Sequence, residues 1–262
     1  MNVSAPTICM DVHVTNPGQF FACCGVLELA DRLWPEAEGC FQDTSFLIWG
    51  TGGLRQLIDG LQGAGLKQLD PADDKSSPIQ IGEPFRLRLD WWQDDRAGGS
   101  GLKVWAGSME GVRIARAMLA ALSDPCFGQP GLFNVGMVVN DPNHPEKKVE
   151  PFYFDSRRAQ NAHSRDVGFS VNDLKLTSTA FPAVEFFCLV GLQRCLPLPT
   201  DRPRMFDYFT WAKPIPAPLL PAAVTGHLPA VGARRYRFEN MYRTGQKKHK
   251  AFSVAVPLTH GV

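Results

Sequence analysis

The sequence predicts an α+β fold with an antiparallel sheet, on three observations. Residues 7–14 alternate Ile8, Met10, Val12 and Val14 against Cys9, Asp11 and His13, the pattern of a half-buried strand. That strand runs directly into a sharply started, almost wholly apolar helix over 16–34. The periodic segments up to residue 140 then continue as strand, hairpin strands, helix and strand. With one short inserted helix set aside, this is the βαββαβ order of a ferredoxin-like or RNA-recognition fold, whose helices cover one face of the sheet.

The helix over 16–34 is the most fully specified element. Asn16 suits the N-cap, Pro17 the first helical position, and Gln19 stands where a reciprocal capping box needs it. Phe20, Cys23, Cys24, Leu27, Ala30 and Trp34 share one face, which Val26, Leu29 and Leu33 widen. Only Gly25, Glu28, Asp31 and Arg32 leave a polar strip, so the helix is expected to lie under a sheet and other protein. The strand–helix corner at 14–19 is a candidate ligand-facing position.

Pro35 stops this helix, and 41–49 reads as the second strand. The glycine turn 50–53 leads into a helix over 54–61; it lacks the Lys-Ser/Thr ending of a nucleotide loop and the dinucleotide spacing, and so reads as a plain turn. Residues 63–84, rich in Gly, Asp, Ser and Pro, read as a loop. Phe85, Leu87, Leu89 and Trp91 alternate with Arg86, Arg88 and Asp90, and a turn at 94–100 makes this strand a hairpin with 102–106. Ser108 caps a helix to 123, and 133–140 is the next strand.

The second half, 141–262, is expected to pack on the first, 1–140, as one unit. It opens with a loop over 141–148, a short strand over 149–154 and a polar, basic segment over 155–166. An amphipathic helix over 182–196 carries Val184, Phe187, Cys188, Gly191 and Cys195 at helical spacing. Six prolines between 201 and 229 follow Pro197 and Pro199, and predict an extended surface arm that packs on a neighbouring subunit.

A chain of 262 residues, 44% of them hydrophobic, can bury a large core. There is no apolar run of about 18 residues and no signal-peptide pattern at residues 1–7, so the expectation is a cytoplasmic protein with no membrane contact. Seven cysteines without a Cys-x-x-Cys pair read as reduced core thiols, and neither metal nor cofactor is expected. The net charge of +1 conceals an asymmetry: residues 1–201 hold 17 Lys/Arg against 24 Asp/Glu, whereas 202–262 hold 10 against 2. A basic end on an acidic body points to a localised polyanion contact.

The stretch Thr15-Asn-Pro-Gly-Gln-Phe-Phe-Ala-Cys-Cys-Gly-Val-Leu-Glu-Leu-Ala30 resembles the opening of CRISPR-associated proteins of type I-U (I-G) systems, nearest to the third-subunit family of the Csb series. It is also similar to the openings of type I large subunits. The resemblance continues through Pro151-Phe-Tyr-Phe-Asp-Ser-Arg-Arg-Ala-Gln-Asn-Ala162, Asp166-Val-Gly-Phe-Ser170 and Pro182-Ala-Val-Glu-Phe186. It implies a non-enzymatic subunit of a type I (Cascade) effector complex in antiviral defence. Its partners would be guide RNA and/or target DNA and the other effector subunits, on a RAMP-like fold. It supplies no catalytic residues.

The residues that suit such contacts lie mainly at the C-terminal end. Residues 234–256 read as a β-hairpin with a basic tip, in which Arg235, Arg237 and Glu239 share one face and Tyr236, Phe238 and Met241 the other. Seven basic residues stand against one acidic residue over 234–250. Arg234, Arg235, Arg237, Arg243, Lys247, Lys248 and Lys250 are the candidate phosphate ligands, and Tyr236 and Phe238 the candidate base-stacking rings. Arg157, Arg158 and Arg165 form a second candidate group. The competing readings are a solvated hairpin whose lysines guard a sheet edge, a structural scaffold, and a metal-independent guide-RNA-processing endoribonuclease. For the last, His13, His163 and His249 are each candidates, though no motif singles one out. Asp73-Asp74 and Asp94-Asp95 lie in turn-like sequence and read as surface charge rather than metal ligands.

Overall fold

Two helices that are apolar on every side, Pro17–Leu33 and Pro182–Arg194, pack against each other at the centre of the protein, and the sheets are laid around them. The computed structural model describes residues 5–73, 75–96, 98–105, 109–159, 179–228, 231–243 and 249–258. The first half comprises β1 (Ile8–Asp11), α1 (Pro17–Leu33), β2 (Glu38–Gln42), β3 (Ser45–Trp49), α2 (Leu54–Ala64), β4 (Leu66–Gln68), β5 (Ile79–Ile81), β6 (Leu87–Leu89), α3 (Gly99–Leu102) and α4 (Gly111–Ala121). After these come β7 (Asn140–Asp141), β8 (His144–Lys148), α5 (Ser156–Ala159), α6 (Pro182–Arg194), β9 (Leu198–Pro199), β10 (Met205–Thr210), β11 (Ile215–Pro216), α7 (Leu220–Val224), β12 (Arg234–Tyr242), β13 (Lys250–Phe252) and β14 (Val256–Leu258).

The protein is α+β, and its strand ladders are antiparallel. One sheet has the order β1-β3-β2-β11; a second runs β13-β12-β10-β9, with β14 also on β12; β4-β5-β6 and β7-β8 are smaller. Phe20 of α1 meets Phe41 of β2 at 5.2 Å and Tyr208 of β10 at 4.3 Å, so both large sheets close on the same helix. One continuous core runs from Ile8 to Ala255. No helix among the described residues is long and apolar enough to cross a membrane.

The start of α1 follows its sequence signals, with one change. Asn16 Oδ1 accepts from Gly18 N at 3.1 Å and Pro17 takes the first turn. Gln19 does not close a capping box, because the Asn16 N–H already bonds the His13 carbonyl; its Oε1 accepts from His13 N at 2.7 Å instead. At the corner the carbonyls are taken within the fold: Tyr208 donates to the Val14 carbonyl at 2.5 Å and Ala255 N to the Thr15 carbonyl at 2.7 Å.

The polar strip assigned to α1 is only partly polar surface. Cys23, Cys24, Leu27 and Trp34 are buried as expected, but so are Gly25 and Glu28. Gly25 and Gly191 face each other's backbones: a Cβ on Gly25 would lie 2.0 Å from the Phe187 carbonyl oxygen, and one on Gly191 1.9 Å from that of Phe21. No side chain fits at this crossing. Glu28 accepts from Arg32 and from Arg194 of α6, a second tie between the two helices. Residues 182–192 are all buried, so α6 is not amphipathic, and it ends at Arg194 rather than 196.

Several other expectations change for identifiable reasons. The strand read over 41–49 is the hairpin β2–β3, because Asp43 adopts a left-handed φ of 51° and turns the chain. The loop assigned to 63–84 contains β4 and β5, and β6 pairs with β5 rather than with 102–106. Trp91, Trp92 and Trp105 pack edge to face at 5.4–5.9 Å, which draws 91–93 into a 3-10 turn and leaves 99–102 helical. The helix after residue 108 runs from Gly111 to Ala121 with Glu110 at its cap; Ser108 lies outside the described residues. The strand assigned to 133–140 is a 3-10 turn at Leu132–Asn134 and a single bridge from Met137 to Ala180. Residues 141–148, expected as a loop, form most of the β7–β8 hairpin, where the Asp141 side chain accepts from Asn143 N at 2.9 Å to make the turn. No strand forms over 149–154, since Tyr153 has a φ of 76° between the buried Phe152 and Phe154.

The proline-rich stretch is no surface arm. Its prolines flank β10, whose Phe206 and Tyr208 are buried, as is Trp211 beside them. Pro216 lies on the edge strand β11, where a missing N–H is tolerated. Five of the seven cysteines are buried free thiols, whereas Cys9 is exposed and Cys126 half-buried.

Two substitutions test this centre. Leu27→Ala should cost about 2–5 kcal/mol in urea denaturation through the cavity it leaves. Gly25→Ala adds only a methyl, and helix propensity alone would make it stabilising by about 1 kcal/mol; overlap with a backbone carbonyl should instead cost about 3 kcal/mol or more. A Gly25→Ala protein as stable as wild type would show that the two backbones are not in contact.

Candidate nucleic-acid interface

The alternation read in β12 is present, but its inner face belongs to the core. Tyr236 is 7% exposed, Phe238 1% and Asn240 0%. Tyr236 stacks on Tyr208 at 5.5 Å, and Phe238 meets Phe252 at 4.9 Å. Neither ring can receive a base, because β12 is paired on both sides and its apolar face rests on α1.

The outer-face arginines are also committed. Asp207 of β10 stands opposite Arg237 in the ladder and is 2% exposed. Arg237 Nε and Nη2 reach its carboxylate at 2.7 and 2.9 Å, and Arg235 Nε reaches it at 3.0 Å. Burial pushes the Asp207 carboxyl up, yet the two guanidinium groups outweigh it and hold the group below its ordinary value. Arg235 and Arg237 therefore neutralise a buried carboxylate rather than a ligand. Arg234 is exposed at the other end of β12 from Arg243, about 30 Å along an extended strand.

At that far end cations lie on both faces of the β12–β13 ladder. The Arg243 N–H bonds the His249 carbonyl at 2.8 Å, and its guanidinium lies 3.3 Å from the centre of the Tyr153 ring. Arg158 on α5 approaches the same ring at 5.8 Å. Lys250 pairs with Tyr242 in the ladder and donates its N–H to the Val104 carbonyl at 3.2 Å, which brings Lys103 alongside. Arg204 lies over the Tyr242 ring at 4.6 Å and reaches Glu239 at 3.4 Å. Burial lowers the Lys250 ammonium from its ordinary value, and nearby Arg204 adds to this. Burial likewise lowers Lys103, opposed by Asp73 and reinforced by Lys250. The Nε atoms of Arg158, Arg204 and Arg243 are buried without a hydrogen-bond partner among the described residues. Buried donors of this kind are uncommon in folded proteins, and more so where they are charged.

Tyr153, under Arg158 and Arg243, is a backbone outlier. A bulky side chain at positive φ stores strain that the surroundings must hold. Its carbonyl accepts from Phe252 N at 3.3 Å, and its hydroxyl donates to the Glu150 carboxylate. The residues after it are fastened to both central helices. Glu185 of α6 accepts from Phe154 N and Asp155 N, each at 3.2 Å. Asn16 at the cap of α1 donates to Asp155 at 3.1 Å and accepts from Ser156 N at 3.1 Å.

Arg157 belongs to this fastening rather than to a binding surface. It pairs with the fully buried Asp155 at 2.6 Å, bonds the Phe133 carbonyl at 2.6 Å and Asn134 Oδ1 at 3.0 Å, and lies 3.5 Å over the Phe181 ring. Of the other expected contacts, the structure brings Arg158 and Arg243 together over the Tyr153 ring and sets Lys250 across from Tyr242 on the other face of the ladder. Lys247, Lys248, Arg165 and His163 lie outside the described residues. Tyr153, Lys103 and Arg204 were not singled out by sequence. Arg204 lies in the basic end and could have been; Lys103, in the acidic body, gives no local signal. His13 is exposed near the corner, and His249 is half-buried in the hairpin. Among the described residues no group of three or more His, Cys, Asp or Glu side chains is arranged to hold a metal ion.

Comparison with family models, with curated proteins and with solved structures returned no match to this chain.

Glu185 gives this region a pH signature. Burial, with the Asp155 carboxylate adding to it, pushes the Glu185 carboxyl from 4.5 to about 7 against the pull of its backbone N–H partners. An acid with a raised folded value keeps its proton longer in the folded state than in the unfolded one. Its contribution to stability is therefore greatest below about 4.5, falls as the pH rises to about 7, and is flat above that. Glu185→Gln carries a pH-independent offset from the lost acceptor but cannot ionise. Between pH 5 and 8 the stability of the variant relative to wild type should rise by about 2–3 kcal/mol in urea denaturation. A difference that does not move with pH would show that Glu185 is ionised throughout.

Proposed function

We propose that the protein is a non-enzymatic, nucleic-acid-binding subunit of a type I CRISPR effector complex, holding guide RNA or target DNA on the cation cluster at the root of the C-terminal hairpin. The observations that carry this are two groups of cations at one end of β12, Arg158 and Arg243 over the Tyr153 ring and Arg204, Lys250 and Lys103 on the Tyr242 side, with the Nε of each arginine buried and without a hydrogen-bond partner among the described residues. A protein gathers desolvated cations at one place where an anion offsets their mutual repulsion, and phosphates do so bidentately with arginine. The sequence resemblance supplies the setting, and the basic balance of residues 202–262 agrees with it. The order β1-α1-β2-β3-α2, with strands in the order β1-β3-β2, supports a ferredoxin-like, RAMP-like origin for the first sheet; β11 then adds beside β2, not at the β1 edge where a fourth ferredoxin strand would go.

A second reading, metal-independent cleavage of precursor guide RNA, is favoured by the place of His249 beside Arg243 and Lys250 in the hairpin. Incubating repeat RNA with the purified protein in chelator separates the two: cleavage that is lost in His249→Ala would replace the binding-only reading.

Salt dependence tests the site. The Arg158→Ala, Arg243→Ala, Lys250→Ala protein should lose about 2 units from the slope of log affinity against log salt for a single strand, at roughly 0.7 per phosphate contact. Arg235→Ala and Arg237→Ala should leave that slope unchanged and lower stability instead, because each removes a partner of buried Asp207. A folded triple variant with wild-type affinity and slope would remove the cluster as the binding site.

A further inference from the structure

We propose that a cleft between α4 and the β7–β8 hairpin binds a small organic phosphate. Its phosphate lies against Arg113, Arg116 and Lys147, and its less polar body over Leu66 and Leu119. The proposal is independent of the nucleic-acid reading and comes from two adjoining cavities of unlike lining.

The first cavity, about 350 Å³, takes Arg113 and Arg116 from α4 and Asp141, His144 and Lys147 from the hairpin. The second, about 360 Å³, shares Arg116, Pro142 and Asn143 with the first and continues over Leu66, Leu119 and Ala120. Arg116 therefore stands where a charged chamber passes into one with apolar walls. Each volume lies near the lower end of the roughly 300–1,000 Å³ of small-molecule sites.

The charges of the first chamber do not balance one another. Three cations, Arg113, Arg116 and Lys147, meet two carboxylates, Glu110 and Asp141, and His144 adds a further charge when protonated. Arg113 and Arg116 stand three residues apart on α4, a like-charge spacing that works against the helix. Arg113 also falls in the first turn, at the positive end of the helix dipole, which disfavours a cation and favours an anion. Asp141 answers Arg113: it is buried and accepts from Arg113 Nε at 2.5 Å. It also accepts from Asn143 N at 2.9 Å, and that N–H, with Arg113 after it, holds the carboxyl below its ordinary value. A guanidinium held at Nε has its Nη donors for a second acceptor. Arg116 is placed at the junction by a 3.3 Å bond from Nη2 to the Leu66 carbonyl, longer than charge-assisted bonds usually are.

The anion that fits follows from these donors. A phosphate monoester carries about 1.5 to 2 negative charges and three acceptor oxygens, enough to meet two guanidinium groups and an ammonium from different elements. A carboxylate brings one charge and two oxygens. Inorganic phosphate would use the first chamber alone, whereas Leu66, Leu119 and Pro142 suit a flat or aliphatic body attached to the phosphate.

Calorimetric titration of the full chain with adenosine 5′-monophosphate, inorganic phosphate and adenosine tests this. The monophosphate should bind about tenfold or more tightly than either of the others, because only it fills both chambers. Lys147→Gln and Arg116→Gln should each weaken it by about tenfold, the loss of one charge-assisted hydrogen bond. Lys147 is exposed, so its variant should fold as wild type does. Lys213→Gln removes the same charge from an exposed position outside the cleft and should leave the affinity within about twofold. Folded wild type that binds neither phosphate compound at about 1 mM would overturn the proposal. Equal affinity for inorganic phosphate and the monophosphate, or a Lys147→Gln loss no greater than that of Lys213→Gln, would overturn it as well.

Discussion

The close crossing of α1 and α6 is the constraint on which the rest of the structure depends. With Gly25 and Gly191 set against carbonyl oxygens of the opposite helix, the two backbones are in contact, and neither helix keeps a face for solvent. Both must therefore be covered. Two sheets close over α1, while α4 and the 3-10 turn at 132–134 pack on α6. Burial of whole helices also moves their polar groups out of water, and each then needs a partner inside. Glu28 meets Arg194 and Arg32; Asn16 meets Asp155 and Ser156; Glu185 meets the backbone of 154–155. The polar knot at the helix starts is a consequence of the apolar crossing.

That knot is what carries the crossing outward to the surface. Residues 153–155 are irregular and lead into α5; the stretch is tied at 154, 155 and 156 to the starts of both central helices. Tyr153, one residue before the first tie, takes its strained φ against this fixed neighbour, and Arg158 follows two residues after the last. The hairpin completes the arrangement by bonding Phe252 N to the Tyr153 carbonyl, which sets Arg243 and Lys250 beside it. Residues from three distant stretches are thus tied to the core through 154–156 and the hairpin.

The sequence was most informative where one residue type allows one structure. Asn16-Pro17 starts a helix, the apolar run after it must be buried, and Arg235-Tyr236-Arg237-Phe238 alternates as a strand. It was least informative about partners. Alternating Arg and Tyr reads the same whether the arginines face phosphate or a carboxylate, and whether the rings face bases or a core. The deciding residue, Asp207, sits in a stretch whose prolines read as a surface arm; its ladder opposite Arg237 exists only once β10 is threaded between β9 and β12. Gly25 was assigned to a polar strip because glycine is neutral to any apolar pattern, and its role is visible only with Phe187 and Gly191 beside it. The β2–β3 turn was legible but missed: Gln42-Asp43-Thr44-Ser45 is a polar run inside the apolar stretch 41–49, and the positive φ of Asp43 marks the reversal there.

The basic balance of residues 202–262 is a partly misleading sum. Arg235 and Arg237 are set against Asp207, and Arg204 leans toward Glu239, so part of that charge is answered within the sheet. The charges that remain effective are fewer, and two of them, Lys103 and Arg158, come from the part of the chain whose formal balance is acidic. Their effect is nevertheless larger than a count implies. A lysine or arginine in open water is screened within about 8 Å at physiological salt, whereas partly buried cations are screened less and interact more strongly with an arriving anion. The lowered Lys103 and Lys250 values express the same desolvation, which an arriving phosphate would offset. Where cations are placed, and how much water they keep, decides how strongly they would meet an anion more than how many there are.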